Sequence, residues 1–551
     1  MYLLGGVFAF LAGLCFIVKI SQSLKFWLSF FCQCCGLMTI LLSFFLFKNG
    51  HFFRPIAATQ LIGIKTTNYS QTPQQNIIVA PNPTEQFIAI NGGETPLVAT
   101  PEEIQEDAAL KTPLPAPINL PTSPQYEKYE QYKQLVPTFF VDKYAISFAL
   151  MVAFLWIAAS FYAVKYMQTL YPARQQEINK FMFFYHCSIA ITLLFAFSAN
   201  LMTAFIFYEI LSFVTIPLVC FNKDTEAKRA TIIYIISLIG LSSLLLFPAI
   251  LIAINKIGII NFFESKSLNG FATSKSYGLI AVLFAMMVLG VAKSAMFPFF
   301  RWLVGAMVAP TPVSALLHAV AVVKVGVFFI LRIVDGVFGT ANLKAISMLG
   351  FFYGRWMFFV CCFAIVACSG YAVLQKNIKK MLAYSTISQL SYILLALSTF
   401  NQSGVDTAFL QIVAHAFAKI SLFFIAGAVY IYGHNPKITA FNALAKQSPV
   451  LAFCLTVSVF SIVGLPFTLG YVAKLSLFTL VNNLESVVMQ FTLFISLFFT
   501  SIYLFGLVYR AYFVQVSACG IEKLQKHKIS ASLKLAILMP TVATIVMYFI
   551  F

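Results

Sequence analysis

The sequence predicts an all-α protein that crosses a membrane about fourteen times. Of its 551 residues, 60% are hydrophobic and only 10% are charged, which leaves too little polar surface for a soluble domain of this size. The apolar residues are gathered into runs of about 20, the length at which a helix crosses roughly 30 Å of hydrocarbon. The chain opens on such a run without a preceding basic segment, so we expect a retained helix rather than a cleaved signal peptide.

The predicted spans follow the apolar runs in chain order. They are residues 3–20, 26–47, 144–164, 181–197, 201–221, 230–254, 277–297, 313–333, 356–374, 382–397, 407–432, 450–477, 487–508 and 535–551. Because the number is even, both termini are expected on one side of the membrane. Residues 1–48 would hold two N-terminal spans, residues 143–512 the core, and residues 513–551 a cytoplasmic loop and the last span.

Residues 49–142 differ in chemistry from the rest of the chain. They contain twelve of the 22 prolines and nine of the 18 acidic residues. Proline-rich sequence favours an extended chain over a helix, and the charge excludes the segment from hydrocarbon. We therefore expect a Pro-rich, acidic extramembrane insert, read most simply as a solvated loop.

The net charge of +18 does not indicate nucleic-acid binding, because the basic residues are concentrated in alternate loops. These residues are Lys19, Lys25, Lys165, Arg174, Lys180, Lys223, Lys228, Arg229, Lys376, Lys379, Lys380, Lys437, Lys446, Arg510, Lys523, Lys526 and Lys528. By the positive-inside rule the face they share is cytoplasmic, which places both termini and the insert outside. The expected location is the bacterial inner (plasma) membrane, and the mitochondrial inner membrane is the less favoured alternative.

The sequence gives no indication of a cofactor. The eleven cysteines include Cys32, Cys34 and Cys35, but there is no pair of Cys-x-x-Cys motifs and no Cys/His cluster with zinc or iron–sulfur spacing. A glycine-rich phosphate loop and a dinucleotide-binding fingerprint are also missing. We expect no cofactor and no metal in this chain, so any redox centre would reside in another subunit.

Five charged residues interrupt otherwise apolar spans: Glu209, Lys293, Lys324, Lys419 and Lys474. A charge at the bilayer centre costs roughly 2.5 to 3.5 kcal/mol on insertion scales, and such residues commonly mark ion and proton pathways. The alternative for any one of them is a side chain that reaches the interface or pairs for helix packing. Their number favours a proton-translocation axis, with Glu209 near the middle of its span.

Two histidines lie on the same spans as these lysines. His318 precedes Lys324 by six residues, so on a regular α-helix the two would diverge by about 120° and rise about 9 Å. His415 and Lys419 are four residues apart and would share a face. A lone membrane histidine is often a packing residue, but imidazole is neutral near pH 7 and exchanges protons readily, so both are candidate proton carriers.

Prolines predict interruptions in two spans. Pro298 frees the carbonyl of Ser294 and should break the seventh span beside Lys293. Pro466 should break the twelfth span a few turns before Lys474. Broken helices expose carbonyl groups and helix termini to a cavity, a device that membrane carriers use to build ion sites.

Several runs in the core resemble those of a known family. They are Ala292-Lys-Ser-Ala-Met-Phe-Pro-Phe-Phe-Arg-Trp-Leu, Ala306-Met-Val-Ala-Pro-Thr-Pro-Val-Ser-Ala-Leu-Leu-His-Ala, Lys379-Lys-Met-Leu-Ala-Tyr-Ser-Thr-Ile-Ser-Gln-Leu-Ser-Tyr, His415-Ala-Phe-Ala-Lys and Gly464-Leu-Pro-Phe-Thr-Leu-Gly-Tyr-Val-Ala-Lys. They are similar to the antiporter-like subunits of respiratory complex I (L, M and N types) and of Mrp-type cation/proton antiporters (A and D types). The resemblance covers roughly residues 144–508 and implies two inverted five-helix repeats with broken seventh and twelfth helices.

The resemblance also implies roles for the charged residues. Glu209 and Lys293 match the family's coupled glutamate and lysine in the first half-channel. Lys324 matches the connecting residue on the eighth helix. Lys419 and Lys474 match residues of the central axis and the exit in the second half.

The family serves several complexes, so its fold does not choose between them. The chain stops without the lateral helix of the L type, which leaves the M, N and Mrp D types, and the run that begins at Ala306 is most similar to the D type. Expected partners are other membrane subunits, the lipid bilayer and protons, with Na⁺ or K⁺ as the coupled ion. Within complex I the chain would form part of a NADH:quinone oxidoreductase.

Two other function classes stay open at this point. A secondary solute permease would also place charges near broken helices, and transport of an organic solute in liposomes would favour it. A non-conducting scaffold subunit would be favoured if all five buried charges were dispensable.

Overall fold

The computed structural model describes residues 3–17, 21–48, 56–57, 137–258, 260–262, 277–515 and 529–550. The chain divides into two units, one made of Met1–Ala58 with Pro137–Phe551 and the other of Thr59–Val136. The second unit lies outside the described residues, and with it most of the predicted insert of residues 49–142. Its solvated, extramembrane character stays a prediction.

The described chain is mainly helical, and we number its principal helices in chain order. The first seven are α1 (Leu4–Leu14), α2 (Gln22–Lys48), α3 (Lys143–Leu170), α4 (Gln175–Ala196), α5 (Leu201–Val219), α6 (Thr225–Ile235, then the π-helical stretches Ile236–Gly240 and Ser242–Leu246, then Phe247–Ile257) and α7 (Tyr277–Gly290, then the 3₁₀ turn Ala292–Ser294 and the short helices Arg301–Gly305 and Ala306–Val308).

The remaining helices form the second part of the chain. They are α8 (Thr311–Ala315, π-helical Leu316–Val320, Val322–Arg332 and π-helical Ile333–Phe338), α9 (Arg355–Val373), α10 (Ile378–Leu397), α11 (Gln402–Gly433), α12 (Pro449–Val463 and Leu469–Asn483), α13 (Val487–Tyr512) and α14 (Ala531–Ile550). Short helical turns lie at Thr340–Ser347, Phe351–Tyr353, Ile438–Phe441 and Leu444–Gln447.

Six of these helices begin where a polar side chain caps the first turn. Asp142 accepts a hydrogen bond from the Ala145 amide at 2.8 Å, and Asn200 accepts one from the Thr203 amide at 2.7 Å. The other caps are Asp224, Asn377, Asn401 and Ser486. Because such caps satisfy amides that the helix leaves without partners, the polar residues between apolar runs determine where each helix starts.

A short antiparallel pairing joins the chain before and after the second unit. β1 (Ile56–Ala57) pairs with β2 (Thr138–Phe139), with Ile56 opposite Phe139. β2 is also bonded to the chain after α4, since the Ala199 amide donates to the Thr138 carbonyl at 2.9 Å. The two ends of the predicted insert therefore lie side by side.

Each predicted span overlaps one of the described helices. Ten helices in the described part of the chain are long and apolar enough to cross a membrane, and three more apolar helices, Leu4–Leu14, Tyr277–Gly290 and Pro449–Val463, are shorter. The chain is therefore a multi-pass helical membrane protein. Fourteen crossings, the inverted repeats and the division of the chain at residues 48, 142 and 512 stay predictions.

Two helices are interrupted where the prolines predict it. The first part of α7 ends before Lys293, and Pro298 lies in the non-helical stretch that follows. The gap between the two parts of α12 contains Pro466. In both gaps the proline itself is exposed, whereas the lysine near each gap, Lys293 or Lys474, is buried.

α8 is not a regular α-helix around His318. The stretch Leu316–Val320 is π-helical, and Ala321 follows with φ −107° and ψ −81°. The figure of about 120° between His318 and Lys324 assumes 3.6 residues per turn throughout, and this stretch of α8 does not meet that assumption.

α8 and α11 lie at the centre of the bundle. The most apolar stretch of each is wholly buried, whereas in α2 and α6 only 28% of that stretch is buried. A helix buried on all sides carries its polar side chains into the protein interior. This position removes Lys324 on α8 and Lys419 on α11 from lipid.

Candidate functional site

Besides Lys25 near the start of α2, which bonds the Phe16 carbonyl, four buried lysines lie inside the bundle without a carboxylate partner among the described residues. Their exposed fractions are 0% for Lys293, Lys324 and Lys419 and 6% for Lys474. The ion pairs in the described part of the chain lie elsewhere: Lys143–Asp406, Arg174–Glu177, Lys223–Glu177 and Arg332–Asp142. Since an unpaired buried ammonium is costly to desolvate, the four lysines are candidates for groups that gain and lose a proton.

Lys293 is held by one turn of α5. Its Nζ donates to the Tyr208 carbonyl at 2.7 Å and to Ser212 Oγ at 2.6 Å. The same Nζ lies 3.2 Å from the centroid of the Tyr208 ring, and the Lys293 amide donates to Tyr208 Oη at 3.1 Å. The break in α7 therefore brings both the backbone and the side chain of Lys293 onto α5.

Glu209 follows Tyr208 on α5 but forms no ion pair with Lys293 in the structure, because the Lys293 ammonium is bonded to Tyr208 and Ser212. The Oε1 atom of Glu209 is buried and has no hydrogen-bond partner among the described residues. Direct pairing of the two charges stays a prediction. In the structure the ammonium is bound at the Tyr208–Ser212 turn, which includes Glu209.

Lys324 on α8 meets His415 on α11. The Lys324 Nζ and His415 Nδ1 atoms are 2.5 Å apart, and His415 Nε2 is buried without a partner in the described part of the chain. Two cationic groups would repel strongly at this distance in a weakly screened interior. The contact therefore holds one proton between the two nitrogens, as an N–H···N hydrogen bond.

Lys419 lies one turn beyond His415 on the same face of α11. Its Nζ donates to Ser385 Oγ at 2.7 Å, and Tyr503 Oη donates to the same oxygen at 2.8 Å. Ser385 thereby connects α10, α11 and α13 around the lysine.

Lys474 lies in the second part of α12, beside the break. Its Nζ is 3.5 Å from the centroid of the Tyr392 ring on α10. Gly464 in the gap has φ +92°, and a Cβ atom there would lie 2.7 Å from Cγ of Lys474. Glycine is required at this position both by its backbone conformation and by the closeness of the lysine stem.

His318 is fully buried, but neither of its ring nitrogens has a hydrogen-bond partner among the described residues, and its ring lies 4.9 Å from that of Phe423. The hydroxyl of Ser314, one turn earlier on α8, is likewise without a described partner. Buried polar atoms of this kind are ordinarily satisfied by ordered water. The structure thus places His318 against Phe423 of α11, without a hydrogen bond to Lys324 or His415.

Sequence reasoning missed the polar side chains that hold the lysines, which are Tyr208, Ser212, Ser385, Tyr392 and Tyr503. On α11 a signal was available, because Thr407, Gln411, His415 and Lys419 recur every four residues and line one face. Gln411 there accordingly bonds Gln389 of α10 at 3.1 Å. The roles of Ser212 and Ser385 could not be recognised in the sequence, since a serine hydroxyl in a helix usually bonds a backbone carbonyl of the same helix.

A cavity of about 510 Å³ opens where α3 ends and α8 begins. Its charged lining residues are Asp224, Glu226, Arg301, Lys379 and Lys380. Lys379 Nζ donates to the Ala309 carbonyl at 2.7 Å, just before the first residue of α8. Burial raises the pKa of Tyr171, another lining residue, so its hydroxyl stays protonated and donates to Asn222 Oδ1 at 3.1 Å.

A buried ion pair lies at the other end of α8. Arg332 donates to both carboxylate oxygens of Asp142, at 2.5 and 2.6 Å. Burial acts to raise the pKa of the Asp142 carboxyl, but the Arg332 charge and its hydrogen bonds hold that pKa below its usual value. This pair ties the start of α3 to the end of α8 and does not touch the lysines.

The described residues contain no group of three or more His, Cys, Asp or Glu side chains placed to hold a metal ion. The ten cysteines among them are free. The expected lack of a cofactor in this chain stays a prediction.

Residues 198–500 match the family described as NADH:quinone oxidoreductase/Mrp antiporter, TM. The match covers more than half of the chain and includes every lysine and histidine of the site. The chain belongs to this family. The resemblance inferred from the sequence runs is thereby confirmed.

Relatives in the NADH:quinone oxidoreductase/Mrp antiporter family come from both kinds of complex. NADH-quinone oxidoreductase subunit L of Buchnera aphidicola subsp. Baizongia pistaciae is 30% identical over 68% of this chain and 58% of its own length. In Rhizobium meliloti, the A/B subunit of the probable K(+)/H(+) antiporter is 28% identical over 63% of this chain and 34% of its own length. The chain thus spans between about a third and three fifths of the length of these curated relatives.

A similar fold occurs in a solved structure of the membrane-bound sulfane sulfur reductase (MBS), an archaeal respiratory membrane complex. The TM-score is 0.61, with 23% identity over 75% of this chain and 82% of that chain. At this identity the likeness concerns the fold alone.

Proposed function

We propose that this chain is a proton-translocating, antiporter-like membrane subunit of a multisubunit complex. Protons would move along Glu209, Lys293, His318, Lys324, His415, Lys419 and Lys474. The host complex is either a monovalent cation/proton antiporter of the Mrp type or NADH:quinone oxidoreductase, with other membrane subunits as partners. Family membership and the names of the relatives support this proposal.

The observation that carries the proposal is the contact between Lys324 and His415. Two basic groups share one proton at 2.5 Å inside the bundle. Moving that proton from one nitrogen to the other transfers positive charge from α8 to α11 with little movement of heavy atoms. A contact needed only for packing would be served better by neutral side chains, since buried charge is costly.

Glu209 would act as the switch at Lys293. While Glu209 is ionised it attracts the Lys293 ammonium, and opposite charges about 4 Å apart couple by about 4 kcal/mol at an effective dielectric constant near 20. Protonation of Glu209 removes this attraction and leaves the ammonium on Tyr208 and Ser212, the position that it has in the structure. Each time Glu209 gains or loses its proton, the electrostatic field at the next lysine of the pathway changes.

The test uses the intact complex in proteoliposomes. Glu209→Gln and Lys293→Met should each abolish ion-coupled proton movement while the complex assembles normally. Lys256→Met is the matched control, because Lys256 is an exposed lysine in the last turn of α6 and should be dispensable. Near-normal proton movement by both Glu209→Gln and Lys293→Met would overturn the proposal.

Mass spectrometry of the gently solubilised complex would distinguish the two hosts. Co-purifying iron–sulfur subunits would indicate complex I, and their absence from an intact assembly would indicate an Mrp antiporter with Na⁺ or K⁺ as the coupled ion.

The relatives named above are L-type and A-type subunits, so the D-type assignment stays a prediction. We further propose the bacterial inner membrane as the location, with both termini outside.

A further inference from the structure

The two lysines beside the helix breaks share a feature that the proposed function does not use. Each ammonium lies against the face of a buried tyrosine, Lys293 on Tyr208 at 3.2 Å and Lys474 on Tyr392 at 3.5 Å from the ring centroid. The rings are 0% and 1% exposed. In the described part of the chain, the only other lysine over a ring is Lys143, at the exposed end of α3.

The face of an aromatic ring carries partial negative charge and attracts a cation. The attraction favours the protonated ammonium and gives little to the neutral amine. It grows as water is excluded, which is the situation of both rings here. A tyrosine face therefore stabilises a charged lysine where no carboxylate reaches it.

The two sites differ in what else surrounds the ammonium. Lys293 has the Tyr208 carbonyl and Ser212 as hydrogen-bond acceptors and Glu209 on the same helix turn. The other titratable group packed there is Tyr234, bonded to Thr215 on α5. At Lys293 the ring is thus one of several stabilising groups.

Lys474 depends more heavily on its ring. Its Nζ forms no hydrogen bond with any of the described residues, and none of their carboxylates lies beside it. The titratable groups near it are His415 on α11 and Tyr392 itself on α10, and Tyr503 on α13 lies near Tyr392. None of these supplies negative charge at neutral pH.

We propose that Tyr208 and Tyr392 are positioning residues that hold Lys293 and Lys474 in their charged forms through the ring face. The inference rests on the proposed function, since it concerns how two of its lysines keep their charge. At Lys474 the ring acts without the hydrogen bonds that Lys293 has to the Tyr208 carbonyl and Ser212. At position 392 the hydroxyl is secondary, so phenylalanine should serve there, whereas the Tyr208 hydroxyl also accepts a hydrogen bond from the Lys293 amide.

Substitution should separate the ring from the hydroxyl. In proteoliposomes with the intact complex, Tyr392→Phe should retain most proton translocation and Tyr392→Leu should lose about tenfold or more, as expected for a desolvated cation–ring contact. Tyr208→Leu should lose less, because two hydrogen bonds remain at Lys293. Tyr162→Leu is the control, since the buried Tyr162 ring stacks on Phe424 at 4.0 Å and not on a lysine.

The pH profile supplies a second readout. Without the ring the charged form of Lys474 is harder to keep, so the alkaline limb of the translocation profile of Tyr392→Leu should move to lower pH by about one unit. Loss of packing alone would lower the rate at every pH without moving the limb.

Fluorinated phenylalanines at position 392 give the decisive test. Each added fluorine withdraws charge from the ring face and leaves its shape nearly unchanged, so translocation should fall stepwise along the series. The same substitutions at position 162 should leave the translocation rate unchanged along the series. Because these residues preserve the shape of the ring, the series still tests the role of the ring face if the complex with Tyr392→Leu does not assemble.

The outcomes separate the two proposals. A flat series at position 392 in a complex that Lys474→Met inactivates would overturn the ring proposal and leave the proton pathway intact. Normal translocation by both Lys293→Met and Lys474→Met would overturn the proposed function, whatever the fluorine series gave.

Discussion

Replacing Asp142 by asparagine should destabilise the bundle by about 3 kcal/mol. The Arg332 side chain is 8% exposed and that of Asp142 27% exposed, and two N–H···O bonds join them. Asparagine keeps an oxygen for the Ala145 amide, so the cap of α3 survives and only the charge is lost. Removing one partner of a buried pair commonly costs about 3 to 5 kcal/mol, because the remaining charge is uncompensated. Because Asp142 is partly exposed, we expect a loss of stability at the lower end of this range.

The assay is reversible unfolding in mixed micelles, at neutral and at acidic pH. Because the folded state holds the pKa of Asp142 below its unfolded value, the carboxylate stabilises the fold above about pH 4, and this contribution is lost as the pH falls through the folded pKa. The difference between the wild type and Asp142→Asn should therefore narrow on acidification. Lys143→Gln, the control, removes a pair whose side chains are 61% and 52% exposed, and should change stability by less than about 1 kcal/mol. Equal stability of the wild type and Asp142→Asn at pH 7 would refute the reasoning.

Three further predictions concern other parts of the chain. Gly326→Ala should lower the thermal stability of the solubilised complex, because a Cβ atom there would lie 2.3 Å from the backbone of the break in α7, whereas Gly506→Ala, with nothing within 4 Å, should leave stability unchanged. His186→Leu removes one of the two acceptors of the Gln33 amide, which lies 3.2 Å from the His186 ring and 3.1 Å from Ser29 Oγ. Leaving one buried N–H without a partner should cost about 1 to 3 kcal/mol in unfolding free energy, measured in the same micelles. Protease added to the periplasmic side should cut within residues 49–142, and cleavage only from the cytoplasmic side would reverse the predicted orientation.

The helices were predictable because lipid imposes a length and a composition on each span. The interruptions of α7 and α12 were predictable for a similar reason, since Pro298 and Pro466 cannot donate the hydrogen bond that a continuous helix needs. Residue type does not encode the π-helical stretches of α6 and α8 in the same way. They depend on how those helices pack, and the regular geometry assumed for His318 and Lys324 does not hold there.

The identities of the buried lysines were predictable, but their partners were not. Lys324 and His415 lie 91 residues apart in sequence, and only the packing of α8 against α11 brings them into contact. Ser212 and Tyr392 looked like ordinary helix residues until a lysine from another helix was placed on them. The free-energy cost of burying a charge makes the functional lysines recognisable in the sequence. Their proton-exchange partners depend on tertiary contacts, which the sequence does not show.

The wide turn of α8 around His318 has a mechanical consequence. A π-helical turn holds about one residue more than an α-helical turn, and the surplus residue can shift along the helix with the loss of few hydrogen bonds. Each residue that it passes rotates by about 100° about the helix axis. Such a shift would change the side of α8 on which His318 lies, while the ends of the helix stay anchored. α6, with two such stretches in succession, has the same freedom.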